Sequence, residues 1–141
     1  MDIYLEFISN HTLLFIAFFI IVFLLLQSVF SDLTRKYKLL SATEAINLIN
    51  REGAVVIDAR TLDEFNDGHI SDAIHIPVSD IENRAEKLKK HEGKPIIFYC
   101  KTGSRSNDAC KALNKLNFDN VYSLSGGIQS WLDANMPLSK Q

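Results

Sequence analysis

The chain has 141 residues, of which 47% are hydrophobic and 23% charged, so it suits one ordinary domain with a short extra segment and is not a disordered or collagen-like chain. Its formal net charge of -2 at pH 7 provides no overall basic field, and nucleic acid is therefore not expected as a partner. The two cysteines and four histidines show no zinc-binding spacing, which argues against a metal site and favours a reducing compartment.

The N-terminal segment is the most apolar part of the chain. Phe7 to Phe30 contains no Asp, Glu, Lys or Arg. As a helix, residues 12–30 would extend about 28 Å at about 1.5 Å per residue, close to the hydrocarbon thickness of about 30 Å. The pattern predicts a transmembrane helix within an N-terminal segment of residues 1–30. A cleaved signal peptide is the alternative, but its leading region would be basic, whereas Asp2 and Glu6 precede this apolar run.

Basic residues follow the predicted span and do not precede it. Arg35, Lys36 and Lys38 come directly after it. Because cytoplasmic flanks carry the excess of positive charge, we expect the C-terminal part of the chain to lie in the cytoplasm. Residues 31–38 are interpreted as a polar linker and residues 39–141 as one folded domain.

Strand and helix signals alternate through residues 39–141. The predicted elements are a helix from a Ser41/Glu44 capping box to about Arg51, strands at 54–59 and 73–77, a helix from a Ser79/Glu82 capping box to near Gly93, a strand at 96–100, a helix at 104–116, a strand at 121–124 and a helix at 126–135. This alternation predicts an α/β fold with a mostly parallel sheet and helices on both of its faces.

Cys100 ends the third predicted strand, where the functional crevice of a parallel α/β sheet is found. A loop bearing Gly103 then leads into a helix, and such a loop can turn its backbone N–H groups inward to bind an anion. The positive potential of these N–H groups and of the helix N-terminus, together with the cations Lys101 and Arg105, would lower the thiol pKa and make Cys100 a nucleophile. The alternative is a small buried hydrophobic residue that closes a core strand.

The segment Cys100-Lys-Thr-Gly-Ser-Arg105 resembles the C-x-x-G-x-R active-site loop of rhodanese-like sulfurtransferases. The stretches "IDARTLDEFNDGHISDAIHIP" (57–77) and "SGGIQSW" (125–131) are similar to two further motifs of that family. The resemblance covers nearly all of residues 39–141 and implies a rhodanese-like sheet. An anchor followed by one such domain looks like the short rhodanese-like proteins of bacterial inner membranes, which implies that location with the domain on the cytoplasmic side.

The resemblance implies that Cys100 takes a sulfane sulfur from a donor such as thiosulfate and passes it from the persulfide to a thiol or another nucleophilic acceptor. Lys101 and Arg105 would recognise an anionic donor, unless the guanidinium instead braces the loop. The backbone amides of Lys101, Thr102, Gly103, Ser104 and Arg105 would hold the charged terminal sulfur. No cofactor is expected, and transfer from a preformed thiolate needs no general base.

Other positions in the motifs are interpreted as support for the site. Asp58 and Arg60, together with Glu64, would form a charge-assisted network beside the crevice. Four further side chains are interpreted as structural, not catalytic: Phe65, His69, Cys110 and Trp131.

Two other functions are open to a chain of this kind. A Cdc25-like phosphatase or arsenate reductase typically uses a seven-residue C-x-x-x-x-x-R loop, whereas Cys100 to Arg105 is one residue shorter. A membrane-anchored binding scaffold with little physiological catalysis would not need the cysteine, which is present. The sequence does not decide between scaffold and sulfur carrier, and it does not identify the physiological donor, acceptor or protein partners.

Overall fold

The computed structural model describes residues 1–140, apart from the side chain of Asp32, and its chain forms two compact units that meet at residues 35 and 36. The first unit contains the helices α1 (Asp2–Asn10) and α2 (Thr12–Leu33). Among the described residues, Thr12–Ser31 is the one helical stretch that is long and apolar enough to cross a membrane. An apolar helix is therefore present where the sequence predicts one.

The second unit is built around a five-stranded sheet. Its strands are β1 (Lys38–Leu40), β2 (Val55–Asp58), β3 (Ile74–His75), β4 (Ile96–Tyr99) and β5 (Val121–Leu124). Their order in the sheet is β1-β5-β4-β2-β3, and every neighbouring pair is parallel. The predicted parallel sheet is confirmed, although β1 was not among the predicted strands. All five carboxyl ends therefore lie along one edge.

The helices of the second unit cover both faces of this sheet. They are α3 (Ala42–Glu52), α4 (Leu62–Asp67), α5 (Ile81–Leu88), α6 (Ser104–Lys115) and α7 (Gly127–Asp133). Ile96 and Phe98 of β4 join the cluster that contains α5 and α6 side chains, whereas Ile97 and Tyr99 join the cluster of α3 and α7 side chains. Alternation along the strand thus produces two cores, and burial of a side chain such as Phe98 contributes about 1.5–3 kcal/mol.

Of the two capping boxes predicted from the sequence, one is present in the structure and one is not. Ser41 and Glu44 form the predicted capping box at the start of α3. The predicted box at Ser79 and Glu82 is wrong, because residues Val78–Asp80 form a 3-10 turn and α5 follows directly at Ile81 with no side-chain cap. The amide of Asp80 donates to the carbonyl of Pro77 at 2.9 Å, so the turn that follows the proline already uses the backbone groups of this segment.

Helix α4 was not predicted from the sequence. Thr61 and Glu64 form its capping box, in which each residue's side chain accepts from the backbone N–H of the other. The signal was present as Thr-x-x-Glu, but the helix is only six residues long. The start of α4 holds the Glu64 carboxylate in a defined position at the carboxyl edge of the sheet.

Candidate active site

Cys100 lies immediately after β4, at the carboxyl edge of the sheet. The residue is 1% exposed, and its carbonyl accepts a hydrogen bond of 2.8 Å from the amide of Ile128 in α7. Its Sγ accepts a hydrogen bond of 3.0 Å from the amide of Gly103. The sulfur is therefore held at the N-terminal end of α6 and enclosed by the loop that the sequence had indicated.

Two glycines make this close packing possible. Gly103 is the N-cap of α6 and has φ of 107°, a conformation that side-chain-bearing residues rarely adopt. Gly127 opens α7 with φ of 62°, and a Cβ at this position would lie 2.3 Å from the carbonyl oxygen of Cys100. The second glycine of the "SGG" motif is thus required because the backbone of α7 passes directly against the active-site loop.

A buried pair of serines lies behind the sulfur. Ser106 and Ser123 are both 0% exposed, and their Oγ atoms are 2.8 Å apart. The Oγ of Ser106 also donates to the carbonyl of Gly103 at 2.9 Å and lies 3.7 Å from the Sγ of Cys100. Sequence analysis missed both residues, although a serine inside the apolar run "VYSL" was an available signal of a buried polar contact.

The surroundings of Cys100 lower its thiol pKa. Burial acts in the opposite direction, but it is outweighed by hydrogen bonds with the backbone and hydroxyl of Ser106 and with the backbone of Gly103 and Thr102. The helix N-terminus predicted from the sequence therefore favours the thiolate through hydrogen bonds made to the sulfur itself. Lys101, the first of the two predicted cations, is exposed.

Arg105, the second predicted cation, is engaged by a carboxylate. Its Nη1 and Nη2 donate to the two oxygens of Glu64 at 2.9 and 3.1 Å. The hydrogen bond from Arg105, partly opposed by burial and supported by bonds from Thr61, lowers the pKa of Glu64 to about 2. The pKa of Arg105 is raised mainly by Glu64 and in part by the negative charge of Cys100, so the guanidinium lies within electrostatic reach of the sulfur.

Asp58 and Arg60 form a separate, buried ion pair. The Nη2 and Nε of Arg60 donate to the carboxylate at 2.7 and 3.0 Å, and the hydroxyl of Tyr99 donates to the same carboxylate at 2.7 Å. The amide of Ile70 donates to that hydroxyl at 3.1 Å. The pair therefore ties the ends of β2 and β4 together. Glu64, which sequence analysis had joined to Asp58 and Arg60, instead bonds to Arg105 and Thr61.

The four residues interpreted as structural are all buried. The ring of His69 stacks on Phe65 at 3.9 Å and its Nδ1 lies 3.0 Å from the Phe65 carbonyl. The Nε1 of Trp131 donates to the carbonyl of Pro137. Burial raises the pKa of Cys110, whose thiol donates to the carbonyl of Tyr122. These side chains are engaged in packing and local hydrogen bonds.

A groove of 240 Å³ opens beside the loop. It is lined by residues 59–61, residues 77–79, Arg105 and Asp108. Within residues 1–140 we find no group of three His, Cys, Asp or Glu side chains that is arranged to hold a metal ion. The chemistry available at this edge of the sheet is that of a thiolate, its hydrogen-bond donors and the paired charges next to it.

Comparison with known proteins gives consistent matches. A model of the rhodanese-like domain matches residues 41–134. The uncharacterized protein YibN of Escherichia coli (strain K12) is 36% identical over 135 residues, which cover 95% of this chain and 94% of YibN. The thiosulfate sulfurtransferase GlpE of Coxiella burnetii is 34% identical over 95 residues, which cover 67% of this chain and 87% of GlpE. The crystal structure of a rhodanese-related protein from Thermoplasma volcanium superposes with a TM-score of 0.67 at 28% identity, covering 74% of this chain and all of that one.

Proposed function

The chain belongs to the rhodanese-like family, and we propose that it is a sulfurtransferase that carries a sulfane sulfur as a persulfide on Cys100. The observation that carries this proposal is the hydrogen bond of 3.0 Å from the Gly103 amide to the Cys100 sulfur, in a setting that lowers the thiol pKa. A sulfur held in this way loses its proton more readily than an ordinary thiol, and the thiolate is the nucleophilic form. The same amide groups suit the negative terminal sulfur of a persulfide.

The proposed reaction has two steps. The Cys100 thiolate attacks the sulfane sulfur of a donor such as thiosulfate, the donor S–S bond breaks, and its electron pair leaves with sulfite. A thiolate or another nucleophilic acceptor then attacks the terminal sulfur of the persulfide and regenerates the Cys100 thiolate. The amides of residues 101–105 would stabilise the negative charge that resides on the terminal sulfur between the two steps.

A phosphatase or arsenate reductase is less well supported by the geometry. Those reactions need a guanidinium that encloses a tetrahedral oxyanion, and here both Nη atoms of Arg105 donate to Glu64. A pure binding scaffold would not need Cys100, nor the hydrogen bonds that lower its pKa. Both observations support sulfur transfer.

We further propose that α2 anchors the protein in the bacterial inner membrane, with the domain on the cytoplasmic side. The proposal is supported by the length and apolar character of Thr12–Ser31 and by the basic residues Arg35, Lys36 and Lys38 that follow it. An anchored carrier would have a raised effective concentration towards acceptors at the membrane surface.

The persulfide is tested directly by mass spectrometry. The full-length protein, purified in a non-ionic detergent, is incubated with thiosulfate, and one added sulfur atom is expected on Cys100. Cyanide should remove it as thiocyanate. Cys100→Ser should abolish the adduct, whereas the matched control Cys110→Ser should retain it, because the Cys110 thiol donates to the Tyr122 carbonyl and burial raises its pKa. An adduct that persists in Cys100→Ser would overturn the assignment of the nucleophile.

A further inference from the structure

The positive charge of Arg105 is matched by a carboxylate that is itself firmly positioned. Glu64 Oε2 accepts not only from Arg105 at 2.9 Å but also from the amide and the hydroxyl of Thr61, each at 3.0 Å. Its second oxygen accepts from the other Nη atom of Arg105 at 3.1 Å. The guanidinium therefore faces a carboxylate through two parallel hydrogen bonds, the strongest arrangement for such a pair.

Glu64 is not free to move away when a ligand approaches. It is the third residue of α4 and completes the capping box with Thr61. The next residue, Phe65, is 6% exposed and buried in the domain. Displacing the carboxylate would leave the amide and the hydroxyl of Thr61 without this acceptor. A donor that reaches Arg105 thus meets the fixed negative charge of Glu64 together with the positive charge of the guanidinium.

The groove beside the loop adds no compensating positive charge. Its second guanidinium, Arg60, is paired with the buried carboxylate of Asp58. Asp108 lies three residues after Arg105 in α6 and lines the same groove, so it contributes a further negative charge. Lys101, the remaining cation of the loop, is exposed. The charged side chains of the groove and of the loop are therefore balanced in sign, and the two guanidinium groups of the groove are each paired with a carboxylate. They do not form the strongly positive surface that would favour a dianion.

We propose that the Glu64–Arg105 pair makes this site select sulfane-sulfur donors that carry less negative charge than the dianion thiosulfate. The inference rests on the proposed sulfur transfer and assigns Glu64 as a residue that determines donor specificity. The preferred class is organic: thiosulfonates, R–SO₂–S⁻, which are monoanions, and persulfides of thiols. With a thiosulfonate, the Cys100 thiolate attacks the terminal sulfur, the S–S bond breaks, and the electron pair leaves with the sulfinate R–SO₂⁻. Charge and atoms balance as they do for thiosulfate.

The test compares two donors that differ by one charge at the same kind of bond. For the full-length protein in a non-ionic detergent, kcat/KM is measured with thiosulfate and with methanethiosulfonate, using cyanide as the acceptor in both cases. The quantity of interest is the ratio of the two values. Because both donors are measured on the same sample, the fraction of folded, reactive protein cancels from this ratio.

Two single variants change the net charge of the pair by one unit in opposite directions, and a double variant leaves it unchanged. Glu64→Gln leaves the pair at plus one and keeps a side chain that can still complete the capping box. Arg105→Gln leaves the pair at minus one. In the double variant the two side chains carry no net charge, as in the wild type, but they no longer form an ion pair. The thiosulfate-to-thiosulfonate ratio should rise about threefold to tenfold in Glu64→Gln and fall by a similar factor in Arg105→Gln, given the strength of charge interactions at a partly exposed site. It should stay near the wild-type value in the double variant.

Added salt provides an independent check. Because salt screens the charges, the four proteins should differ less in their thiosulfate-to-thiosulfonate ratio at high salt. A ratio that is the same in all four proteins would overturn the role of Glu64 in donor selection, even if both donors still load Cys100. A ratio that falls in Glu64→Gln would also overturn it. The proposed function fails in a different way, namely if neither donor places sulfur on Cys100 in the wild-type protein.

Discussion

The Oγ of Ser106 lies between the Oγ of Ser123, at 2.8 Å, and the Sγ of Cys100, at 3.7 Å. The three side chains come from β5, from the first turn of α6 and from the residue after β4. Since Ser106 also donates to the carbonyl of Gly103 at 2.9 Å, one buried hydroxyl connects the sulfur, the loop and the neighbouring strand. Its removal is therefore a sensitive probe of the site.

Ser106→Ala should raise the pKa of Cys100, because the hydrogen bond between the Ser106 hydroxyl and the sulfur is one of the interactions that lower this pKa. Sulfur loading at neutral pH should fall about tenfold, the order expected for a hydrogen bond to a charged group, and the rate should recover at higher pH. Ultraviolet titration of the thiolate, in a Cys110→Ser background, measures the shift. Ser123→Ala retains the Ser106 hydroxyl and serves as the control, with a loss below about threefold. Identical titration curves for wild type and Ser106→Ala would disprove this role.

Gly127→Ala should disrupt the site through the backbone. The new Cβ would lie 2.3 Å from the Cys100 carbonyl oxygen and 2.6 Å from the Lys101 carbonyl carbon, so the loop must shift. We expect a loss of more than about 2 kcal/mol in the free energy of unfolding and a large loss of sulfur loading.

Gly53→Ala is the matched control for that substitution. Gly53 has φ of 63°, nearly equal to that of Gly127, but an added Cβ would meet nothing within 4 Å. Denaturant unfolding should show a cost of only about 1 kcal/mol from the backbone conformation, with sulfur loading unchanged. Equal effects of the two substitutions would mean that backbone conformation, not the close approach of α7, explains the requirement for glycine.

The Glu64–Arg105 pair should contribute stability that depends on pH. The pKa of Glu64 is about 2 in the folded protein, against an ordinary value of 4.5. Because the folded-state pKa is depressed, the contribution is complete above about pH 4.5 and is lost as pH falls through the interval down to about 2. Urea unfolding should show Glu64→Gln less stable than wild type at pH 7, with the difference shrinking across that acidic interval. A difference that stays constant from pH 7 to pH 3 would contradict the prediction.

Topology can be read from cysteines introduced at exposed positions, since Cys100 itself is only 1% exposed. In a Cys100→Ser, Cys110→Ser background, Lys140→Cys should resist a membrane-impermeant thiol reagent until the inner membrane is lysed. Asp2→Cys, on the other side of the predicted span, should react as soon as the outer barrier is opened. Early labelling of Lys140→Cys would place the domain outside the cytoplasm.

Short stretches of the sequence determined several helices and the position of the nucleophile. An unbroken apolar run predicts a helix such as α2 because no charged residue interrupts it. Ser41 and Glu44 predict the start of α3 because both partners of a capping box lie within one turn. The position of Cys100 at a strand end, before a glycine loop, follows from a buried strand run and the helix signal after it. Each of these signals is contained within a short stretch of sequence.

Only the tertiary structure decided which distant residues meet at the site. Glu64 and Arg105 are 41 residues apart and Ser106 and Ser123 are 17 apart, and no local pattern specifies either pair. The strand order β1-β5-β4-β2-β3 brings their elements together at one edge, because parallel strands place all their carboxyl ends on the same side. Sequence analysis consequently found the nucleophile and its loop, whereas the partner of Arg105 and the serines behind the sulfur followed from the way the strands are arranged in the sheet.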